Sequence, residues 1–159
     1  MTNVQLKVKK LAHCKDLPAY ATPGSAGLDL TAAIESAIEL KAGERMRMPT
    51  GIQIEIPPGF QGQVVPRSGL ADRAGISLTN CVGTIDCDYR GEVQVLMINH
   101  GCQSYTFEPG ERVAQLVLVP IPRVEVVVVE ELSPTEMRGV GGFGSTGKAS
   151  LSAETKGQT

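Results

Sequence analysis

The chain has 159 residues with a formal net charge of −2, 18 Gly, 10 Pro, three Tyr, three Phe and no Trp. That length suits one domain that buries roughly 70% of its unfolded surface, and 42% hydrophobic with 20% charged residues excludes a disordered chain or a coiled coil. Scattered basic residues on a net acidic chain exclude a nucleic-acid binder that tracks the backbone, whereas two or three placed arginines suffice for a phosphate.

The N-terminal MTNVQLKVKKL is charged and alternating, with Val4, Leu6 and Val8 on one face and no apolar signal core. No window reaches the length of a membrane span, so the expectation is no membrane partner and a reducing, cytoplasmic setting. His13 beside Cys14 and His100 near Cys102 are the nearest approach to a metal pattern. With no C-x-x-C pair, Cys14, Cys81, Cys87 and Cys102 read as small buried hydrophobes or free thiols. SAGLDLTA (25–32) sets Asp29 between two leucines, where a carboxylate caps a turn or orients an arginine. TAAIESAI (31–38) has the composition for helical turns, although LKAGE closes it quickly.

GIQIEI puts Ile52, Ile54 and Ile56 on one strand face. Further strands are predicted over 61–66, 91–99, 104–107, 112–119 and 123–130, between turns such as IPPGF, VPRSG, DYRGE and EPGER. LADRAG (70–75) is the other helical candidate. Many short strands with turn residues between them indicate an antiparallel sandwich or barrel. From Ser133 on, SPTEMRGVGGFGSTGKASLSAETKGQT has almost nothing to fill a core. The expected organisation is therefore a β domain over 1–132 and a flexible Gly-rich arm over 133–159.

Within the arm, GVGGFG (139–144) matches G-x-G-x-x-G and GFGSTGK (142–148) nearly matches a phosphate-binding loop. Both motifs work only between a strand and a helix, and that context is missing. The physics survives: glycine backbone N–H groups wrap anions, Arg138 adds a cation, and Ser145 and Thr146 add hydroxyls. Phe143 gains by stacking on a flat partner such as a nucleobase, or is a stray ring in a linker.

The densest chemistry lies in TNCVGTIDCDYRGEV (79–93). Asp86 and Asp88 share a face if the segment is extended, and a carboxylate near Val82, Ile85 and Val93 can be tuned as a base or can hold a metal. The same residues also make an ordinary hairpin turn. In PRSGLADRAG (66–75), Arg67 pairs with phosphate oxygens, Ser68 donates and Gly69 admits close backbone approach, or the segment is a surface turn. Gln115 is the only amide in the apolar run of PGERVAQLVLVP (109–120), so it is a polar core contact or a ligand contact.

SAGLDL, PRSGLA, GTIDCDYRGEV, ERVAQLVL and RGVGGFGSTG occur in order and at matching separations, from about Leu6 to Gly147. Together they resemble the five motifs of the trimeric deoxyuridine triphosphatases (dUTPases). The resemblance implies an all-β, distorted jelly-roll-like barrel or sandwich with one short helix. It also implies a homotrimer whose three active sites are each shared by all chains, with the arm closing over a neighbour's site. Residues 149–159 have no role in it and are expected to be disordered.

The implied reaction is hydrolysis of dUTP to dUMP and pyrophosphate, which keeps uracil out of DNA and supplies dUMP for thymidylate synthesis. Asp86 is then the base for water attack at the α-phosphorus. Arg67, Ser68, Gly69 and Gln115 contact the phosphate chain, and Asp29 orients an arginine. Tyr89 lies under the deoxyribose, while Asn80, Thr84, Ile85 and Gln94 recognise uracil. Arg138, Gly144, Ser145 and Thr146 gather the triphosphate, and Phe143 stacks on the base. Mg²⁺ is expected on the substrate phosphates and water, with no protein ligand. The rival readings are a dCTP deaminase on a related fold and a silent β-module that binds nucleotide or protein. The Asp-x-Asp-Tyr hairpin and the Phe-bearing arm favour hydrolysis.

Overall fold

Short stretches of alternating apolar and polar residues, each closed by Gly or Pro, dictate half-buried antiparallel strands. The computed structural model, which describes residues 4–135 and 139–140, consists of such strands and one short helix. In chain order they are β1 (Lys7–Lys10), β2 (Leu28–Thr31), β3 (Ile38–Leu40), β4 (Arg45–Glu55), β5 (Phe60–Pro66), α1 (Ser68–Ala74), β6 (Ile76–Leu78), β7 (Gly83–Ile85), β8 (Glu92–Asn99), β9 (Tyr105–Phe107) and β10 (Arg112–Pro120).

The strands form two four-stranded antiparallel sheets, ordered β1-β4-β8-β6 and β2-β10-β5-β7, and a small β3-β9 pair. This is the sandwich form of the expected architecture. The inward-facing residues fuse into one core that includes Leu30, Met48, Ile52, Val95, Met97, Val113 and Leu116. It is almost wholly aliphatic, as the sequence requires. Phe107 is fully buried, with the Tyr105 ring edge-on to it at 4.8 Å. No helix among the described residues is long and apolar enough to cross a membrane.

The helix predicted from LADRAG starts two residues earlier, at Ser68, and ends where Gly75 adopts φ 68° and returns its N–H to Ala71. A side chain at Gly75 would meet the Gly101 backbone nitrogen at 2.5 Å, so glycine there both caps α1 and lets it turn into β6. The stretch 31–38 is not helical. Thr31 ends β2 and Ile38 opens β3. Between them the Ala32 and Ala33 amides donate to the carbonyls of Glu111 and Pro49, so the backbone is satisfied by neighbouring segments and not by its own turn.

The strand expected over 123–130 is also absent. β10 ends at Pro120, Pro122 offers no N–H, and Val124, Val126, Val127, Val128 and Val129 are 54–94% exposed. β-propensity reflects packing and pairing with neighbours, and this run has neither in the chain as described. The chain divides into two units at the same point, Met1–Arg123 and Val124–Thr159, nine residues before the expected boundary at 132.

Candidate active site

The residues singled out by the sequence fall into two groups on the β domain. The first is ordered by register. Gln115 on β10 lies opposite Asp29 on β2 and opposite Val65 on β5, so Arg67, just past the end of β5, reaches the same row. Asp29 is 7% exposed. Its carboxylate accepts from Arg112 Nη1 at 2.9 Å and Gln115 Nε2 at 3.2 Å, and Arg67 Nε stands 3.7 Å away. Arg67 also donates from Nη1 to the Arg112 carbonyl at 2.7 Å.

One buried carboxylate thus aligns two guanidiniums and an amide, leaving planar N–H donors over for an anion. Gly27 makes room for the amide, since a Cβ there would sit 3.0 Å from Gln115 Cβ. Ser68 and Gly69 open α1 beside Arg67. Arg112 carries little signal in the sequence because EPGER reads as a turn; its place three residues before Gln115, at the start of β10, is the one sign.

The second group lines a cavity of about 330 Å³ between β7, the turn that follows it and β8. Asn80, Thr84, Ile85, Asp86, Tyr89 and Gln94 all face it, together with Arg47, Glu92, Val93 and Leu96. Those dimensions suit a small planar ring system edged by polar groups. Asp86 and Asp88 do not share a strand face. The Tyr89 amide donates to the Asp86 carbonyl at 3.1 Å, so the two carboxylates flank a tight turn. Asp86 is exposed in this chain and not enclosed by apolar neighbours.

Arg90 donates to the Cys87 and Tyr89 carbonyls at 2.7 and 2.8 Å and fastens the turn. The Tyr89 ring lies directly over Gly91, where a Cβ would be 2.3 Å from its hydroxyl. Burial pushes the Glu92 carboxyl up, but hydrogen bonds from His13 and Gly51 outweigh it and hold the group below the ordinary carboxylate value.

The two groups do not meet in one chain. Ile85, next to Asp86, pairs with Gly62 on β5, and Arg67 follows five residues further on, just past the end of that strand. At the strand rise this is roughly 16 Å. Arg138, Phe143, Gly144, Ser145 and Thr146 lie outside the described residues. Among the described residues there is no cluster of three or more His, Cys, Asp or Glu side chains able to hold a metal ion.

A dUTPase family model matches residues 14–147. The deoxyuridine 5'-triphosphate nucleotidohydrolase of Aquifex aeolicus is 57% identical over 128 residues, covering 79% of this chain and 85% of that protein. The Methylocella silvestris protein of the same name is 51% identical over 148 residues, covering 91% and 92%. Among solved structures, a variant dUTPase of Staphylococcus bacteriophage 80alpha with dUpNHpp superposes with a TM-score of 0.81 at 28% identity, covering 91% of this chain and 99% of that one. A dUTPase variant from phage phi11 of S. aureus, described as coordinating a structural Mg(II) ion, shares the fold with a TM-score of 0.72 at 24% identity, covering 80% and 97%.

Proposed function

This chain belongs to the dUTPase family and is a dUTP diphosphatase that yields dUMP; we propose that Asp86 is its catalytic base and that the cavity beside it receives the deoxyuridine. The carrying observation is that one 330 Å³ cavity has Asp86 at its rim and Asn80, Thr84, Gln94 and Tyr89 on its walls. Asp86 takes a proton from the water whose oxygen bonds to the α-phosphorus. The bond from that phosphorus to the α–β bridging oxygen breaks, and pyrophosphate leaves. A positioned base of this kind supplies ~10²–10⁴-fold. The remainder comes from holding and neutralising the triphosphate.

That second task falls to Arg67, Ser68, Gly69 and Gln115, with Arg112 beside them and Asp29 keeping both guanidiniums in place. Arg138, Gly144, Ser145 and Thr146 complete the anion cradle, and Phe143 covers the uracil. Tyr89 packs under the deoxyribose and leaves no space for a 2′-hydroxyl. Asn80, Gln94 and the main chain around Thr84 and Ile85 pair with the uracil edge. A cytosine would leave those groups unpaired, which is a strong basis for rejection.

The family's Mg²⁺ enters with the substrate as the Mg²⁺–dUTP complex, because Mg²⁺ favours phosphate oxygens and water over protein cages. Each complete site is shared among copies of the chain in a homotrimer, a reading supported by the separation of the nucleoside and phosphate groups within one chain. The arm over 133–159 closes such a site. Acting in the cytoplasm, the enzyme keeps uracil out of DNA and supplies dUMP for thymidylate synthesis.

The test is to incubate the protein with Mg²⁺ and each deoxynucleoside triphosphate in turn, measuring pyrophosphate and ammonia. Pyrophosphate is expected from dUTP alone. Ammonia from dCTP would mark a deaminase, and no turnover of any substrate would mark a binding module; either overturns the assignment.

A further inference from the structure

Where β4 meets β8 the ladder is broken. Pro49 pairs with Gln94 and Gln53 with Glu92, so three residues on β4 lie opposite the single Val93 on β8. A bulge of this kind strands backbone groups that the ladder normally satisfies. Here two side chains take over. The Thr50 hydroxyl donates to the Val93 carbonyl at 2.5 Å, and Glu92 Oε1 accepts from the Gly51 amide at 2.8 Å.

The same Glu92 oxygen lies 2.8 Å from His13 Nε2, on the segment that follows β1. That segment is docked on the bulge by a second bond, from the Leu11 amide to the Gly51 carbonyl at 2.8 Å. Gly51 makes the approach feasible, because it has φ 71° and a Cβ there would lie 2.4 Å from Cys14 Cα. The carboxylate therefore joins three segments at one atom.

Glu92 also faces the nucleoside cavity, and its backbone carbonyl accepts the Tyr89 hydroxyl at 2.9 Å. The orientation of the Tyr89 ring thus depends on where the residue 92 peptide stands. At this bulge the residue 92 peptide is held by its own carboxylate as well as by its pairing with Gln53.

We propose that Glu92, clasped by His13 and Gly51, is a positioning residue that fixes Tyr89 and thereby sets how strictly the enzyme rejects a ribose 2′-hydroxyl. The proposal rests on the reading of Tyr89 as the sugar-facing residue. Neither Glu92 nor His13 acts on the reacting atoms. They supply the supporting layer without which a correctly composed site is too loose to discriminate. Removing the carboxylate leaves the amide of buried Gly51 without its acceptor and lets the start of β8, with the Tyr89 hydroxyl on it, shift.

The experiment compares kcat and KM for dUTP and UTP in the full-length wild type and in Glu92→Ala, Glu92→Gln, His13→Ala, Tyr89→Phe and Glu92→Ala/Tyr89→Phe. The Glu92→Ala change is expected to narrow the dUTP:UTP ratio of kcat/KM about tenfold, chiefly through a lower KM for UTP, the scale set by loss of one buried hydrogen bond. Glu92→Gln keeps an oxygen for the Gly51 amide and is expected to restore the ratio to within about threefold of wild type. His13→Ala removes one half-exposed partner and shifts the ratio in the same direction by a smaller factor. Because Glu92 acts through the Tyr89 hydroxyl, the double variant is expected to be no looser than the more affected single one.

A folded Glu92→Ala protein with an unchanged ratio, or effects of Glu92 and Tyr89 that simply multiply, overturns the proposal. If Glu92→Ala does not fold, an unchanged ratio in His13→Ala overturns it equally. Wild-type protein that fails to turn over dUTP would instead overturn the functional assignment, so the two failures are distinguishable.

Discussion

Replacing Asp86 by Asn is expected to lower kcat for dUTP by ~10²–10⁴-fold while leaving dUTP binding within a few-fold of wild type. The amide has the shape of the carboxylate but does not accept a proton from water at neutral pH. The turn that presents residue 86 is held by backbone and Arg90 bonds, from the Tyr89 amide to the Asp86 carbonyl and from Arg90 to Cys87 and Tyr89, none of which uses the Asp86 side chain. The substitution therefore removes chemistry and spares structure. Single-turnover pyrophosphate release, with equilibrium binding of a non-hydrolysable dUTP analogue, separates the two effects. Turnover at the wild-type rate would remove Asp86 as the base.

Asp29→Ala is expected to act on structure and function together. It takes the central acceptor from Arg112, Gln115 and Arg67, and Asp29 is nearly inaccessible to water. Breaking a fully buried ion pair from one side costs roughly 3–5 kcal/mol. The Arg112 side chain is 51% exposed and can re-solvate, which lowers the expectation here. A loss of about 2 kcal/mol is expected, read as a fall in thermal midpoint of roughly 4–8 °C. With the two guanidiniums released, KM for dUTP is expected to rise at least ~10-fold, the size of effect that mispositioning produces. Asp29→Asn keeps an acceptor for Arg112 and should fall between wild type and alanine in both measurements. A variant with the lower midpoint but an unchanged KM would leave Asp29 with a structural role only.

The sandwich was legible because burial follows alternation. Ile52, Ile54 and Ile56 are all buried, as their shared face demands, and Val93, Val95 and Met97 repeat the pattern on the neighbouring strand. The short helix was legible in LADRAG, although it begins at Ser68 and Gly75 lies past its end in the left-handed region. Pairing was not legible. Val124 to Val129 have the composition of a strand, but a strand also needs an edge to pair with, and composition says nothing about that. The stretch 31–38 failed in the opposite sense, since its amides are consumed by Glu111 and Pro49, partners far away in sequence.

Taken alone the hairpin residues read as an ordinary turn; they stood out because GTIDCDYRGEV occurs in order with four other motifs at matching separations. Arg112, Arg47 and Glu92 did not stand out, since each is an ordinary surface residue type whose importance comes from register, and His13 stood out only as a weak metal pattern beside Cys14. Asp29 faces Gln115 only because β2 and β10 pair in one particular alignment. Glu92 reaches Gly51 only because β4 bulges opposite it. Motifs announce the groups that touch a ligand. The groups that hold those groups still are announced by three-dimensional pairing.

The roughly 16 Å along β5 between the nucleoside cavity and Arg67 also has a genetic meaning. Under the proposed sharing of sites among copies, an allele that loses Asp86 and an allele that loses Arg67 each encode a subunit with one intact half. Neither alone supports growth that depends on clearing dUTP. Co-expressed, they are expected to form mixed assemblies in which some sites draw both halves from undamaged chains, so the second allele partly rescues the first. On that proposal, the position of a lesion along the chain is expected to decide whether two defective copies complement each other or fail together.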